Sequence, residues 1–244
     1  MAKNKDFVVP SRKQPFWKFV KKIFSIFLRK PKIINLAGEI NNQALYLSNH
    51  QAKTGPLYLD MYYPKFHCMW GAYEMLGTYK ERFKYLRDVF YMQKRGFSKA
   101  KANSKSWFEA IFNKYLYKGM HVIGTYQDAR LKETFKKSLK VLNNDIGIII
   151  FPEDSSNGYF DVLTKFNQGF ISLALMFYRK HGVDLPIYPN YVNTKKKVII
   201  IGKPLFVNEL LSQGKSFEEV AEIFKNAVND LYYNYIENNQ YKKY

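Results

Sequence analysis

The sequence predicts an α/β domain: a mostly parallel sheet flanked by helices, with an amphipathic helix ahead of it. Three observations carry this. Residues 146–151 form a continuous β-branched run (Ile146, Ile148, Ile149, Ile150) ending in Phe151, as in a strand covered on both faces. Strand-like and helix-period segments alternate along most of the 244 residues. Apolar residues make up 47% of the chain and aromatics 18%, enough for one sizeable core, which excludes a wholly disordered chain.

The elements follow in order. Residues 1–35 hold ten basic residues (Lys3, Lys5, Arg12, Lys13, Lys18, Lys21, Lys22, Arg29, Lys30 and Lys32) against Asp6, so this arm carries 10 − 1 = +9 of the formal net charge of 39 − 20 = +19. Within it Phe16, Val20, Ile23, Phe24 and Phe27 recur at steps of three and four, which aligns them on one helix face until Pro31 ends the segment. A basic, aromatic amphipathic helix suits an anionic bilayer surface, where each nearby Lys or Arg contributes about 1 kcal/mol. The alternatives are a helix docked on the protein's own core and a nucleic-acid contact, although no nucleic-acid module is recognisable.

Residues 36–237 form the predicted α/β domain, and 238–244 a polar tail that frays. Strands are expected over 43–48, 121–126, 146–151, 185–192 and 198–201, with 67–76 ambiguous. Helices are expected from Thr54, as cap, to Met61; over 98–117, where Trp107, Ile111 and Tyr115 share a face; over 131–142; and over 166–181, stopped by Gly182. Ser216 and Glu219 match a capping box, opening a helix with Val220, Phe224, Ala227, Leu231 and Tyr235 on one face.

The single cysteine, Cys68, rules out an internal disulfide and fits a reducing compartment. His67, His121 and His181 show no metal-ligand spacing, so no metal is expected. No stretch reaches the roughly 18 apolar residues of a spanning helix, and no signal peptide is visible. These features predict a peripheral protein on the cytoplasmic side of a membrane.

Two segments place polar groups at strand ends, where open α/β sheets form their sites. The first runs Ser48-Asn49-His50-Gln51-Ala52-Lys53-Thr54-Gly55-Pro56. The second runs Ile149-Ile150-Phe151-Pro152-Glu153-Asp154-Ser155-Ser156-Asn157-Gly158-Tyr159-Phe160, followed by Phe166-Asn167-Gln168-Gly169-Phe170. Here the chain resembles the glycerolipid acyltransferase family. Asn49-His50 matches the start of that family's first motif, Phe151-Pro152-Glu153 its third, Phe166 to Gly169 the short segment downstream, and the Pro-rich Leu185-Pro186-Ile187-Tyr188-Pro189 its fourth. The second motif falls at Ile123-Gly124-Thr125-Tyr126-Gln127, and the ordered match covers roughly residues 40–205.

The departures are specific. Gly55 stands where the first motif has Asp, Asp154 where the third has Gly, and Gln127 where the second has Arg. The resemblance implies transfer of a fatty acyl group from a thioester co-substrate, acyl-CoA or acyl carrier protein, to the hydroxyl of a lysophospholipid, with no further cofactor. His50 is the candidate general base, since an imidazole can take a hydroxyl proton near neutral pH. A carboxylate on the other ring nitrogen would fix its tautomer. That partner cannot be Gly55; it is Glu153, Asp154, a backbone carbonyl, or nothing. Glu153 alternatively caps its loop, and His50 the strand end. Asn49, Lys53, Gly55, Gln127, Phe151, Pro152, Asp154 and Gly169 are the expected substrate-binding positions. The lost arginine positions point away from a simple phosphate monoester acceptor. The rival is a catalytically inactive relative that keeps the fold as a lipid- or membrane-binding module.

Overall fold

The computed structural model describes residues 7–156 and 158–243; Lys3, Lys5 and Asp6 of the arm, and Asn157 of the second polar segment, lie outside these. Among the described residues seven strands form one sheet: β1 (Lys32–Asn35), β2 (Leu45–Ser48), β3 (His67–Ala72), β4 (Val122–Thr125), β5 (Gly147–Ile150), β6 (Ile187–Asn193) and β7 (Val198–Ile201). Their order is β1-β7-β6-β2-β5-β3-β4, and every neighbouring pair is parallel except β6 and β7. The chain steps from β2 out to β3 and β4, returns to β5 between β2 and β3, and then crosses to β6 on the other side of β2. That reversal opens a crevice at the C-terminal ends of β2 and β5.

Alternation along the strands divides the core. Leu45 and Leu47 join Ile148 and Ile150 on one face of the sheet. Against them pack α6 (Gly169–His181) through Phe170 and Phe177, and α8 (Phe217–Leu231) through Phe224. Tyr46 and Ile149 point to the other face, toward α1 (Pro15–Phe27) and α2 (Thr54–Tyr62). Strands β5 and β7 are buried on both sides, which is why they read as continuous apolar runs. The excursion from β3 to β4, residues 73–119, builds a cap with its own small cluster of Met75, Leu86, Phe90, Tyr91, Ala102 and Ala110. It contains a 3-10 turn (Tyr73–Leu76), α3 (Tyr79–Lys84), a π-helical stretch (Tyr85–Gln93) and α4 (Lys99–Gly119). The remaining helices are α5 (Leu131–Leu142) and α7 (Val207–Ser212).

Several local readings hold residue by residue. The 131–142 helix has the expected bounds, Gly182 takes the left-handed position after α6 (φ 70°), and Ser216 and Glu219 form a reciprocal capping box. Others differ. Thr54 is the first residue of α2 rather than its cap, because left-handed Gln51 and Ala52 (φ 45° and 55°) turn the chain into the helix at Lys53. The segment at 67–76 is a strand followed by a 3-10 turn. On α8 it is Val228, rather than Ala227, that is buried, and the helix passes into a π-helical turn at Tyr232–Glu237. The tail does not simply fray: Gln240–Lys242 forms a 3-10 turn, and Lys196 sits over the Tyr241 ring while donating to the Ile236 carbonyl at 2.8 Å.

The two aromatic helices each divide their apolar residues between the core and the outside. On α1, Trp17 is buried and Val20 packs beside it, whereas Phe16, Phe19, Ile23, Ile26 and Phe27 are 46 to 78% exposed. One arc docks on the core and the next faces outward. On α4 the small residues Ala102, Ser106 and Ala110 are buried, and the Trp107, Ile111 and Tyr115 face is exposed. Trp17 is the docking point of α1. Its Nε1 donates to Asp60 Oδ2 at 3.0 Å, Lys21 pairs with the same oxygen at 3.0 Å, and the ring fills the space over Gly119. Trp17→Ala is expected to lower the unfolding free energy by about 3–5 kcal/mol in urea titrations, with α1 becoming cleavable at Lys18 and Lys22. An unchanged midpoint would mean that the helix is not part of the cooperative unit.

Candidate active site

Register brings the two polar segments together. Leu47 pairs with Ile150 across parallel β2 and β5, so continuing three residues along each chain places His50 beside Glu153. Glu153 is buried, and its Oε1 accepts the backbone N–H of His50 at 3.3 Å. The carboxylate therefore holds the backbone of His50 rather than its ring. The loop is closed from behind. Glu153 bridges to Phe166, and the Asn167 N–H donates to the Pro152 carbonyl at 2.7 Å. This is the physical use of the Phe166–Gly169 segment, after which α6 begins at Gly169 against Trp70.

The His50 ring is held by aromatics. Phe151 meets it edge-on with centroids 4.7 Å apart, and Tyr159 stacks on it at 5.0 Å. Its Nδ1 is buried with no hydrogen-bond partner among the described residues. Burial drives the imidazole pKa down to about 3, the Lys94 ammonium adds to this, and the Ala52 backbone opposes it weakly. The ring is thus neutral across the physiological range. Glu153 moves the other way: burial raises it to about 7, against the pull of the His50 N–H and Lys94. The family's aspartate has no room here. A Cβ on Gly55 would lie well inside 3.0 Å of the His50 carbonyl oxygen, so the loop that presents His50 requires a glycine at that point. Gln51 locks the same left-handed turn by accepting from Thr194 N–H at 2.8 Å and Thr194 Oγ1 at 3.0 Å.

His50 lines a cavity of about 390 Å³, within the usual range for small-molecule sites. Its walls are mostly apolar, with Met69, Trp70, Met75, Phe90, Leu116 and Phe151 among them. The charged residues on the wall are Lys53 and Glu109. They pair with each other, Lys53 also donates to Tyr91 OH at 2.5 Å, and the ammonium lies over the Phe90 and Tyr91 rings at 4.7 and 4.6 Å. Burial lowers the Lys53 pKa, and Glu109 raises it back in part. Lys94 acts on His50 through its charge, donating to Ser155 Oγ at 2.6 Å with its ammonium over the Tyr159 ring.

The sequence-predicted positions divide. His50, Lys53 and Phe151 line the cavity. Asn49 does not: its amide donates to the Val192 carbonyl at 3.0 Å and accepts the Val192 N–H at 2.8 Å, tying β2 to β6. Glu153 and Pro152 lie behind the ring as loop structure, and Gly55 and Gly169 are packing positions. Asp154 is exposed and turned onto Ser156, accepting from its N–H at 3.1 Å and its hydroxyl at 2.7 Å, so it is not the partner of the ring. Gln127 is exposed past the edge strand β4, next to a surface ion pair of Asp128 and Arg130. Tyr159 lies in the second polar segment, whereas Glu109, Tyr91 and Lys94 carry no sequence signal. They come from the cap, where no motif spacing marks them. Among the described residues no group of three His, Cys, Asp or Glu side chains gathers as a metal site, and no helix is long and apolar enough to cross a membrane.

No family model and no curated protein matches the chain by sequence. By structure it is similar to the crystal structure of the 1-acyl-sn-glycerophosphate (LPA) acyltransferase PlsC from Thermotoga maritima, with a TM-score of 0.51 and 12% identity over 88% of this chain and 78% of that one. At that identity the likeness is one of fold: the chain shares the α/β fold of that acyltransferase.

Proposed function

We propose that the protein is an acyltransferase that moves a fatty acyl group from a thioester, acyl-CoA or acyl-carrier-protein-bound, to the hydroxyl of a lysophospholipid. The observation that supports this most is a neutral imidazole, His50, facing an apolar cavity at the crevice of this fold. The acceptor hydroxyl gives its proton to the imidazole as its oxygen attacks the thioester carbonyl. The tetrahedral intermediate expels the thiolate, and the imidazolium returns the proton to the leaving sulfur. Phe151 and Tyr159 clamp the ring, Glu153 fixes its backbone, and the apolar walls hold the acyl chain. The outward stripe of α1 lies on an anionic membrane that holds substrate and product.

His50→Ala is expected to reduce transfer from acyl-CoA to lysophospholipids about 10²–10⁴-fold, with the folded state retained by circular dichroism. Undiminished turnover would remove His50 from the mechanism. A second reading, a lipid-binding relative without catalysis, is favoured by the unpartnered Nδ1, which leaves a developing imidazolium without a carboxylate. Purified wild-type protein that binds lysolipid yet transfers from neither acyl-CoA nor acyl carrier protein would establish that reading instead.

A further inference from the structure

We infer that α4 is a second membrane-facing helix, and that an anionic lipid bilayer seats on its outer face at the mouth of the cavity. The inference rests on the lipid-substrate reading above. Trp107, Phe108, Ile111, Phe112 and Tyr115 are 40 to 62% exposed, a stripe more than two turns long on one side of α4. A helix docked on its own core buries its large apolar residues. This one buries Ala102, Ser106 and Ala110 and turns the aromatics out.

Two further observations name the occupant. The first is continuity with the cavity. Phe108 and Phe112 are half-exposed and also line the cavity wall, so the outer stripe and the cavity share one apolar surface. A chain leaving a bilayer leaflet at this stripe reaches His50 without crossing water. The second is charge. Residues 94–118 carry Lys94, Arg95, Lys99, Lys101, Lys105, Lys114 and Lys118 against Glu109, which is 7 − 1 = +6. Glu109 is itself neutralised by Lys53. Lys101 and Lys105 are exposed before the stripe and Lys114 and Lys118 along its later turns, where their stems can snorkel to lipid headgroups. An aromatic stripe set among cations fits an anionic interface. The N-terminal part of α1 packs by Trp17 over Gly119, at the end of α4, so the two exposed stripes belong to adjoining helices.

Trp107 supplies the test, because Trp17 is buried and Trp70 is partly buried with its Nε1 bonded to Ser138. The full chain and its Trp107→Phe variant are mixed with vesicles of phosphatidylglycerol and phosphatidylcholine, with and without brominated acyl chains. A blue-shifted emission quenched by the bromines in the wild type, and largely lost in Trp107→Phe, is the expected result. Ile111→Asp is expected to weaken partitioning at least about tenfold, an effect that falls away on pure phosphatidylcholine. Co-sedimentation with equal quenching in wild type and Trp107→Phe would overturn the inference while leaving α1 as the membrane contact. Shielding of Trp107 from aqueous acrylamide before any lipid is added, in a chain that elutes as a dimer, would assign the face to a second copy and overturn it too. Neither outcome touches acyl transfer, which the His50→Ala comparison decides separately.

Discussion

Gly55→Asp, which places at position 55 the aspartate of the glycerolipid acyltransferase motif, is expected to destabilise this protein and to yield no gain in the acyl transfer proposed above. On propensity alone the change should help. Replacing a helical glycine gains up to about 1 kcal/mol, and an acid in the first turn of α2 adds about 0.5 kcal/mol through the helix dipole. The packing term decides against it. The new Cβ would lie well inside 3.0 Å of the His50 carbonyl oxygen, which is backbone and cannot swing away as a side chain would. Overpacking of this kind costs about 1–3 kcal/mol, and relief would have to move the turn that presents His50. Gly55→Ala carries the same Cβ without the charge. Both variants are expected to lower the urea midpoint together and to lose activity together. A Gly55→Asp protein as stable as wild type, and faster in transfer, would show that the His50 loop can adopt the family's geometry and that Nδ1 merely lacks its carboxylate.

That example marks the boundary of what the sequence discloses. Strand ends are legible because a buried parallel strand must be apolar on both faces, and the polar break that follows Leu47 or Ile150 is then conspicuous. The pairing of the His50 and Glu153 segments follows from parallel register. The contact inside that pairing was not legible: whether Glu153 bonds the ring or the backbone depends on two left-handed residues, Gln51 and Ala52, whose side chains do not advertise that conformation. Helical spacing found α1 and α4 but not their orientation. Spacing states that apolar residues share a face, and says nothing about whether that face meets the core or the outside. The cap's contribution to the site was hidden for a different reason. Glu109 and Tyr91 lie far from Lys53 in sequence and meet it only because residues 73–119 fold back over the crevice.

Acid unfolding should begin unusually early, just below pH 6.5, because buried His67 and half-buried His50 and His121 are held in their neutral form. Burial is the main cause for each: it takes His50 down to about 3 and His67 and His121 to about 4. His67 is also pushed down by Lys21 and partly restored by the Lys65 carbonyl; for His121 Asp60 opposes the shift, while Lys21 and His67 add to it. In the unfolded chain each titrates near 6.5. Between that value and the folded one, the unfolded state binds protons that the native state refuses, so stability is intact above pH 6.5 and falls as the pH drops. Glu153 opposes this. Its folded value of about 7 lies above the unfolded 4.5, so the native state takes a proton first and gains stability as the pH falls from 7 to 4.5. Buried Asp60 is raised in the same sense, with burial outweighing Lys21 and Trp17. The balance is one to two protons taken up on unfolding, or about 1.4–2.8 kcal/mol per pH unit. A domain stable by about 5–15 kcal/mol loses much of that reserve within two or three such units. Carboxylates such as Asp128 and Asp154, held low by Arg130 and Ser156 respectively, titrate below this window and extend the loss rather than start it. Glu153→Gln isolates the opposing proton. The amide oxygen can still accept the His50 N–H, so the variant should be more stable than wild type at pH 8, by up to about 3 kcal/mol, and steeper on the acid limb by about 1.4 kcal/mol per unit. Urea titrations at half-unit steps from pH 8 to 4.5 measure both. A flat wild-type profile down to pH 5 would contradict the neutral state of the three imidazoles. Equal slopes in Glu153→Gln and wild type would contradict the raised carboxyl of Glu153.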